Sequence, residues 1–204
     1  MQLGARIGAW AKSGAPLPYD AEVEYLESNG TQYIDPVVSL VGPEPRVRFK
    51  MRMTVNEDRD QISTTSGLYF RINFNGGGTC YYRYGDNASR TWNTYTHADI
   101  FEFNDFDIGS KCLVNGEVLY EANPVPEFIS PAAIMLFRGR NFASVCLGYV
   151  KIYQGDGSLI RDFFPVRFTN ENGVSEGAMY DRVSGQLFRN AGTGAFVIGP
   201  DKTV

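Results

Sequence analysis

Arg46-Val-Arg-Phe-Lys-Met-Arg-Met-Thr-Val55 decides how the rest of the chain is read. Val47, Phe49, Met51, Met53 and Val55 are apolar, and Arg46, Arg48, Lys50, Arg52 and Thr54 between them are polar. A period of two is the period of a β-strand, so one set enters a core and the other faces water or a groove. The polar set carries Arg46, Arg48, Lys50 and Arg52, which makes this face a candidate surface for an anionic ligand.

The same alternation recurs outward from this strand. Leu68, Phe70, Ile72 and Phe74 share one face of a second strand, and Thr79 to Tyr84, His97 to Ile108, Ala132 to Phe137, Val145 to Tyr153 and Leu159 to Val166 extend the series. Asn115-Gly116 suits a two-residue type I′ hairpin within Ser110 to Tyr120, Gln154 to Gly157 closes another hairpin, and Pro124 to Pro131 reads as a proline-spaced connection. From Gly177 to Gly199 short aromatic runs alternate with glycine turns, so the backbone doubles back twice. With 14 Phe, 12 Tyr, 22 Gly and 10 Pro and no amphipathic helix, about twelve short strands predict an all-β, two-sheet antiparallel sandwich. A length of 204 residues suits one such domain, at 21–204, preceded by a Gly, Ala and Pro-rich arm or linker at 1–20. Leu3, Ile7 and Trp10 give that arm the means to dock on the domain itself or on a neighbouring protein subunit.

A net charge of −4 provides no global attraction for nucleic acid. Apolar runs stay below a membrane span, and a secretory signal is not visible in the first residues. Cys80, Cys112 and Cys146 lack metal-ligand spacing and read as buried thiols, and the single His97 has no cysteine beside it, so a resident metal or cofactor is not expected. Gly76-Gly77-Gly78 lacks the Lys-Ser/Thr and helix of a phosphate loop. Asn56, Glu57, Asp58 and Asp60 offer hard oxygen atoms without the spacing of a calcium loop. The best candidate ligand site is the polar, aromatic stretch holding Tyr82, Tyr84, Asp86, Asn87, Arg90, Trp92 and Asn93. Aromatic rings stack on sugar rings there while Asp, Asn and Arg fix hydroxyls.

Three ordered segments carry a resemblance: Glu24-Tyr-Leu-Glu-Ser-Asn-Gly-Thr-Gln-Tyr-Ile-Asp35, then Gly148-Tyr-Val-Lys-Ile-Tyr153 with Leu159-Ile-Arg-Asp-Phe-Phe-Pro-Val-Arg167, then Tyr180-Asp-Arg-Val-Ser-Gly185 through Phe196. Together they resemble a concanavalin A-like, laminin-G-like jelly roll of the kind found in proteins of gut bacteria and their phages. Pro36 departs from the Asp-Thr-Gly turn of that pattern. The resemblance implies a jelly-roll sandwich and a non-catalytic glycan-binding or adhesion module at a cell surface, outside the cell or on a virion. A structural or assembly module is the alternative, and calcium occurs in some relatives, although no ligand set maps onto this chain. A minority of such domains cleave polysaccharides through a Glu-x-Asp-x-x-Glu strand. Glu22, Glu24 and Glu27 imitate that spacing as nucleophile, helper and acid/base of a retaining hydrolase. Glu22 and Glu27 are five positions apart, so an unbroken strand would put them on opposite faces.

Overall fold

The computed structural model describes residues 16–57, 59–65, 70–74, 80–85, 91–93, 99–121, 127–139 and 141–203, with only the backbone at 74, 80, 81, 91–93, 127 and 129–132. Among these residues all regular structure is strand. The elements are β1 (Ala21–Glu22), β2 (Leu26–Asn29), β3 (Ser39–Pro43), β4 (Arg46–Met53), β5 (Arg59–Thr64), β6 (Phe70–Phe74), β7 (Cys80–Tyr84) and β8 (Thr91–Asn93). They continue as β9 (Asn104–Ile108), β10 (Lys111–Val114), β11 (Glu117–Glu121), β12 (Glu127–Leu136), β13 (Ser144–Tyr153), β14 (Leu159–Thr169), β15 (Ser175–Asp181), β16 (Gln186–Phe188) and β17 (Val197–Ile198).

An 11-stranded sheet runs β11-β10-β9-β4-β13-β14-β15-β16, with β1 added beside β14 and β2 placed between β13 and β17. A 6-stranded sheet runs β3-β12-β5-β6-β7-β8. All strand pairings are antiparallel. The inward residues of β4 (Val47, Phe49, Met51, Met53) join Phe106, Ile108, Val145, Leu147, Val150 and Ile152 of the large sheet. Across from them lie Leu40, Ile62, Phe70, Ile72, Tyr82, Tyr84, Phe128, Ile134 and Leu136 of the small sheet, in one cluster. Two sheets closing on one apolar layer is the sandwich arrangement that the alternating sequence demands.

Several expectations are corrected in detail. Of the stretch 97–108, residues 97 and 98 lie outside the described residues, and the remainder is strand only from Asn104, because Asp99 turns the chain: its side chain accepts the Phe101 amide at 2.9 Å and its carbonyl the Glu102 amide at 3.0 Å. Glu127 to Pro131 is not a connection but the start of β12, paired with β3 at Glu127↔Pro43 and Phe128↔Gly42. Of the expected arm, residues 1–15 lie outside the described residues. Tyr19 packs edge-on against Phe164 and Tyr180, and the Asp20 amide donates to the Arg167 carbonyl at 2.8 Å. That ring covers a second, smaller apolar cluster of Phe164, Val166, Phe168 and Ala178.

Candidate functional site

Alternation along β7 sends Tyr82 and Tyr84 into the core, which corrects their placement on a ligand surface. They are 5% and 2% exposed, and each hydroxyl is spent on a backbone carbonyl. Tyr82 donates to Gly109, and Tyr84 to Pro45 at 2.7 Å. Burial raises the pKa of both phenols, so they remain donors. Asp86, Asn87 and Arg90 lie outside the described residues. Trp92 and Asn93 belong to β8, in register with Tyr81 and Cys80.

The cations of β4 do stand together on the outer face of the large sheet, but β9 sets carboxylates against them. Arg48 is paired with Asp107 in the strand register and Lys50 with Asp105. Arg46 makes a two-pronged contact to Asp107, and Arg48 reaches the same carboxylate at 3.3 Å. Arg52 lies 5.3 Å from the ring centres of both Tyr25 and Phe103. The face is therefore a lattice of alternating charge rather than a patch of one sign.

A cavity of about 510 Å³ opens in that lattice, lined by Glu24, Lys50, Phe103, Asp105, Gly148, Tyr149 and Lys202. Its floor is made by a β-bulge. Leu147 pairs with Met51 and Val150 with Phe49, so β13 has one residue more than β4 across this step. The extra residue lets Gly148 and Tyr149 lie between two inward-facing positions. Gly148 presents no side chain where a Cβ would come 3.3 Å from the Lys50 Cβ. Tyr149 is turned toward β9 and donates its hydroxyl to Asp105 Oδ1 at 2.8 Å. Burial, followed by the Asp105 hydrogen bond, pushes this phenol up to about 12, so it holds its proton at neutral pH. The Lys50 ammonium lies 5.6 Å from the Phe103 ring centre, and Tyr25 flanks the same ring at 5.5 Å. Two carboxylates and two ammonium groups balance across the opening.

The carboxylates of 22–27 share a side after all. The chain bends at Glu24 between β1 and β2, and both Val23 and Leu26 are 0% exposed. That break shifts the parity, so Glu22 and Glu27 both stay out of the core instead of falling on opposite faces. Their surroundings then separate them. Glu22 pairs with Arg182 at 3.2 Å and Lys202 at 3.7 Å, Glu27 accepts the Cys146 thiol at 3.4 Å, and Glu24 alone lines the cavity. Of the oxygen cluster at 56–60, Asp58 lies outside the described residues. Glu57 accepts the Ser144 amide at 2.6 Å, and Asp60 accepts Arg71 and Asn73 on the small sheet. Among the described residues there is no group of three or more His, Cys, Asp or Glu able to hold a metal ion, and no helix long and apolar enough to cross a membrane.

Phe103, Asp105, Tyr149 and Lys202 escaped the sequence reading. The bulge that gathers them depends on a cross-strand offset, and the only local hint was Gly148 inside a strand pattern. Comparison with protein-family models and with curated protein sequences finds no match.

Proposed function

We propose that the protein is a non-catalytic carbohydrate-binding module of the adhesion type, with its saccharide on the outer face of the large sheet. The observation that carries this reading is the cavity itself. It offers a size of about 510 Å³, the partly exposed rings of Phe103 and Tyr149, and a balanced set of Glu24, Asp105, Lys50 and Lys202 around them. Aromatic rings take the apolar face of a pyranose, while carboxylates and ammonium groups bind its hydroxyls as acceptors and donors. A site with equal numbers of positive and negative groups favours a neutral sugar over a charged one. The sequence resemblance to concanavalin A-like jelly rolls of bacterial and phage surface proteins supports the same class. Hydrolysis receives less support, because Glu22 and Glu27 do not line the cavity and are engaged by Arg182, Lys202 and Cys146.

Calorimetric titration with a panel of neutral oligosaccharides tests the reading. At least one should bind, and Phe103→Ala and Asp105→Asn should each weaken it about tenfold or more, which is about 1.4 kcal/mol. Unchanged affinity in both variants would remove the cavity as the site.

A further inference from the structure

A second cavity, of about 370 Å³, opens on the same outer face of the large sheet, and its lining includes Glu44, Arg46, Asp107, Ser110, Lys111 and Leu113. Alternation explains its place. Phe106, Ile108, Cys112 and Val114 are buried in the core, so Asp107 of β9 and Lys111 and Leu113 of β10 face outward beside Arg46 of β4. The Phe103 cavity rests on the same strand pair, where Lys50 of β4 stands opposite Asp105 of β9. Arg46 and Lys50 are four positions apart on one strand, which sets the two openings about 13 Å apart along its axis. Arg48 stands between them, its side chain 44% exposed and 3.3 Å from Asp107, so a polar and partly exposed strip joins the openings.

The two linings repeat one chemistry. Glu24 and Asp105 accompany Lys50 and Lys202 in the first, and Glu44 and Asp107 accompany Arg46 and Lys111 in the second, so neither opening has a net charge. A polymer of one neutral sugar presents the same hydroxyls at regular intervals, and two matched openings on one strand pair suit such a ligand. Glu44 sets the second opening apart from a mere gap between ion pairs. Asp107 is taken by Arg46 and Arg48, and Lys111 by Glu121 at 2.9 Å, whereas Glu44 forms no ion pair among the described residues. It lies between Pro43 and Pro45 at a left-handed φ of 50°, a strained conformation of the kind that clusters where proteins contact ligands. We infer that the β4–β9 strand pair is an extended binding surface for a linear neutral polysaccharide, with the Phe103 cavity as its main subsite and the Glu44 cavity as a second one farther along the same sugar chain. This rests on the saccharide reading of the first cavity. Phe103 and Tyr149 stack one sugar unit there, while Glu44 and Ser110 bind hydroxyls of a later unit lying over Leu113.

The test titrates the full chain by calorimetry with linear β-1,4-linked oligosaccharides of glucose, mannose and xylose, each from the disaccharide to the hexasaccharide. In a series that binds, affinity should rise at least tenfold with length. Glu44→Gly should abolish that rise and leave the disaccharide affinity unchanged; glycine adopts a positive φ readily, so this variant keeps the turn. In ¹⁵N-labelled wild-type protein the backbone amides of Ser110 and Lys111 should shift with the hexasaccharide and stay still with the disaccharide, a readout that needs no variant. Affinity that is lost in Phe103→Ala yet flat with length, or Ser110 and Lys111 amides unmoved by the hexasaccharide, would overturn the second subsite and leave the first standing. A length effect that survives Glu44→Gly would overturn the role of Glu44. Binding in none of the series, or binding indifferent to Phe103→Ala, would overturn the reading of the first cavity and the extended surface with it.

Discussion

Asp181 shows how a single side chain can organise a stretch that looks like mere turn chemistry. It is 0% exposed, yet its Oδ1 accepts the amides of Asp162 at 2.7 Å and Val183 at 3.1 Å. Its Oδ2 accepts the Ser184 amide at 3.2 Å and hydroxyl at 2.7 Å, with Arg161 at 3.7 Å. Asp181→Ala leaves these donors without their acceptor, so urea denaturation should show a loss of about 3–5 kcal/mol. A loss below about 1 kcal/mol would mean that water replaces the carboxylate at no cost. The thiols make a second prediction at this scale. Cys112 and Cys146 are free and buried, and desolvation is the first cause that pushes each up to about 12. An unfolded thiol ionises near about 8.5. Between these values the unfolded chain sheds protons that the folded chain keeps, so stability is undiminished below about pH 8.5 and falls as pH rises toward 12. Urea midpoints should accordingly decline steadily from pH 8 to pH 10.5, and a flat profile would contradict the burial of both thiols. Folded protein at pH 8 should also resist iodoacetamide, whereas urea-unfolded protein should react.

The β10–β11 hairpin is where local sequence and local structure agree most closely. Val114 pairs with Glu117 around Asn115 and Gly116, whose φ angles are 51° and 86°. Both fall in the left-handed region that a type I′ turn requires. Asn115 adds long-range ties, since its Oδ1 accepts the Asp105 amide at 2.9 Å and its Nδ2 donates to Asn104 Oδ1 at 2.8 Å. Asn115→Ala therefore combines backbone strain with two lost hydrogen bonds and should cost about 1–3 kcal/mol. For a chain of 204 residues this corresponds to a fall in Tm of about 2–12 °C, measurable by calorimetry. No shift would show that the turn tolerates alanine. This turn was legible because the dipeptide alone dictates its geometry. The face of β7 was legible in principle, since Tyr82-Arg83-Tyr84 reads inward, outward, inward once Arg83 is taken as the outward residue. Weighing aromatics as sugar platforms placed the two tyrosines on the wrong side. The β13 bulge was not legible, because an extra residue is defined only against the strand beside it.

At the scale of the molecule, the all-β, two-sheet character followed from alternation and turn composition. The closing stretch is tied to the opening one by a series of backbone bonds. Thr193 and Ala191 donate to the carbonyls of Thr31 and Tyr33 at 3.1 and 2.9 Å, β17 pairs with β2, and Gly199 donates to Tyr25 at 3.0 Å. Farther along, Glu24 donates to Pro200 and Lys202 to Glu22, both at 2.9 Å. Phe196 enters the core from this segment at 5% exposure, with its ring centre 4.8 Å from that of Phe137. Phe137 is itself fully buried at a left-handed φ of 64°, a conformation that a bulky residue keeps only when its surroundings enforce it. The tail is thus a structural edge of the large sheet as well as the source of Lys202 in the cavity. Phe196→Ala should cost about 3–5 kcal/mol while leaving a cooperative transition. Truncation after Arg189 should have a larger effect, because it exposes Leu26 and Phe137 and strips β2 of a partner strand. Circular dichroism and urea denaturation of the truncated chain should show no cooperative unfolding. A cooperative transition within about 2 kcal/mol of the full chain would show that the sandwich closes without its last strand.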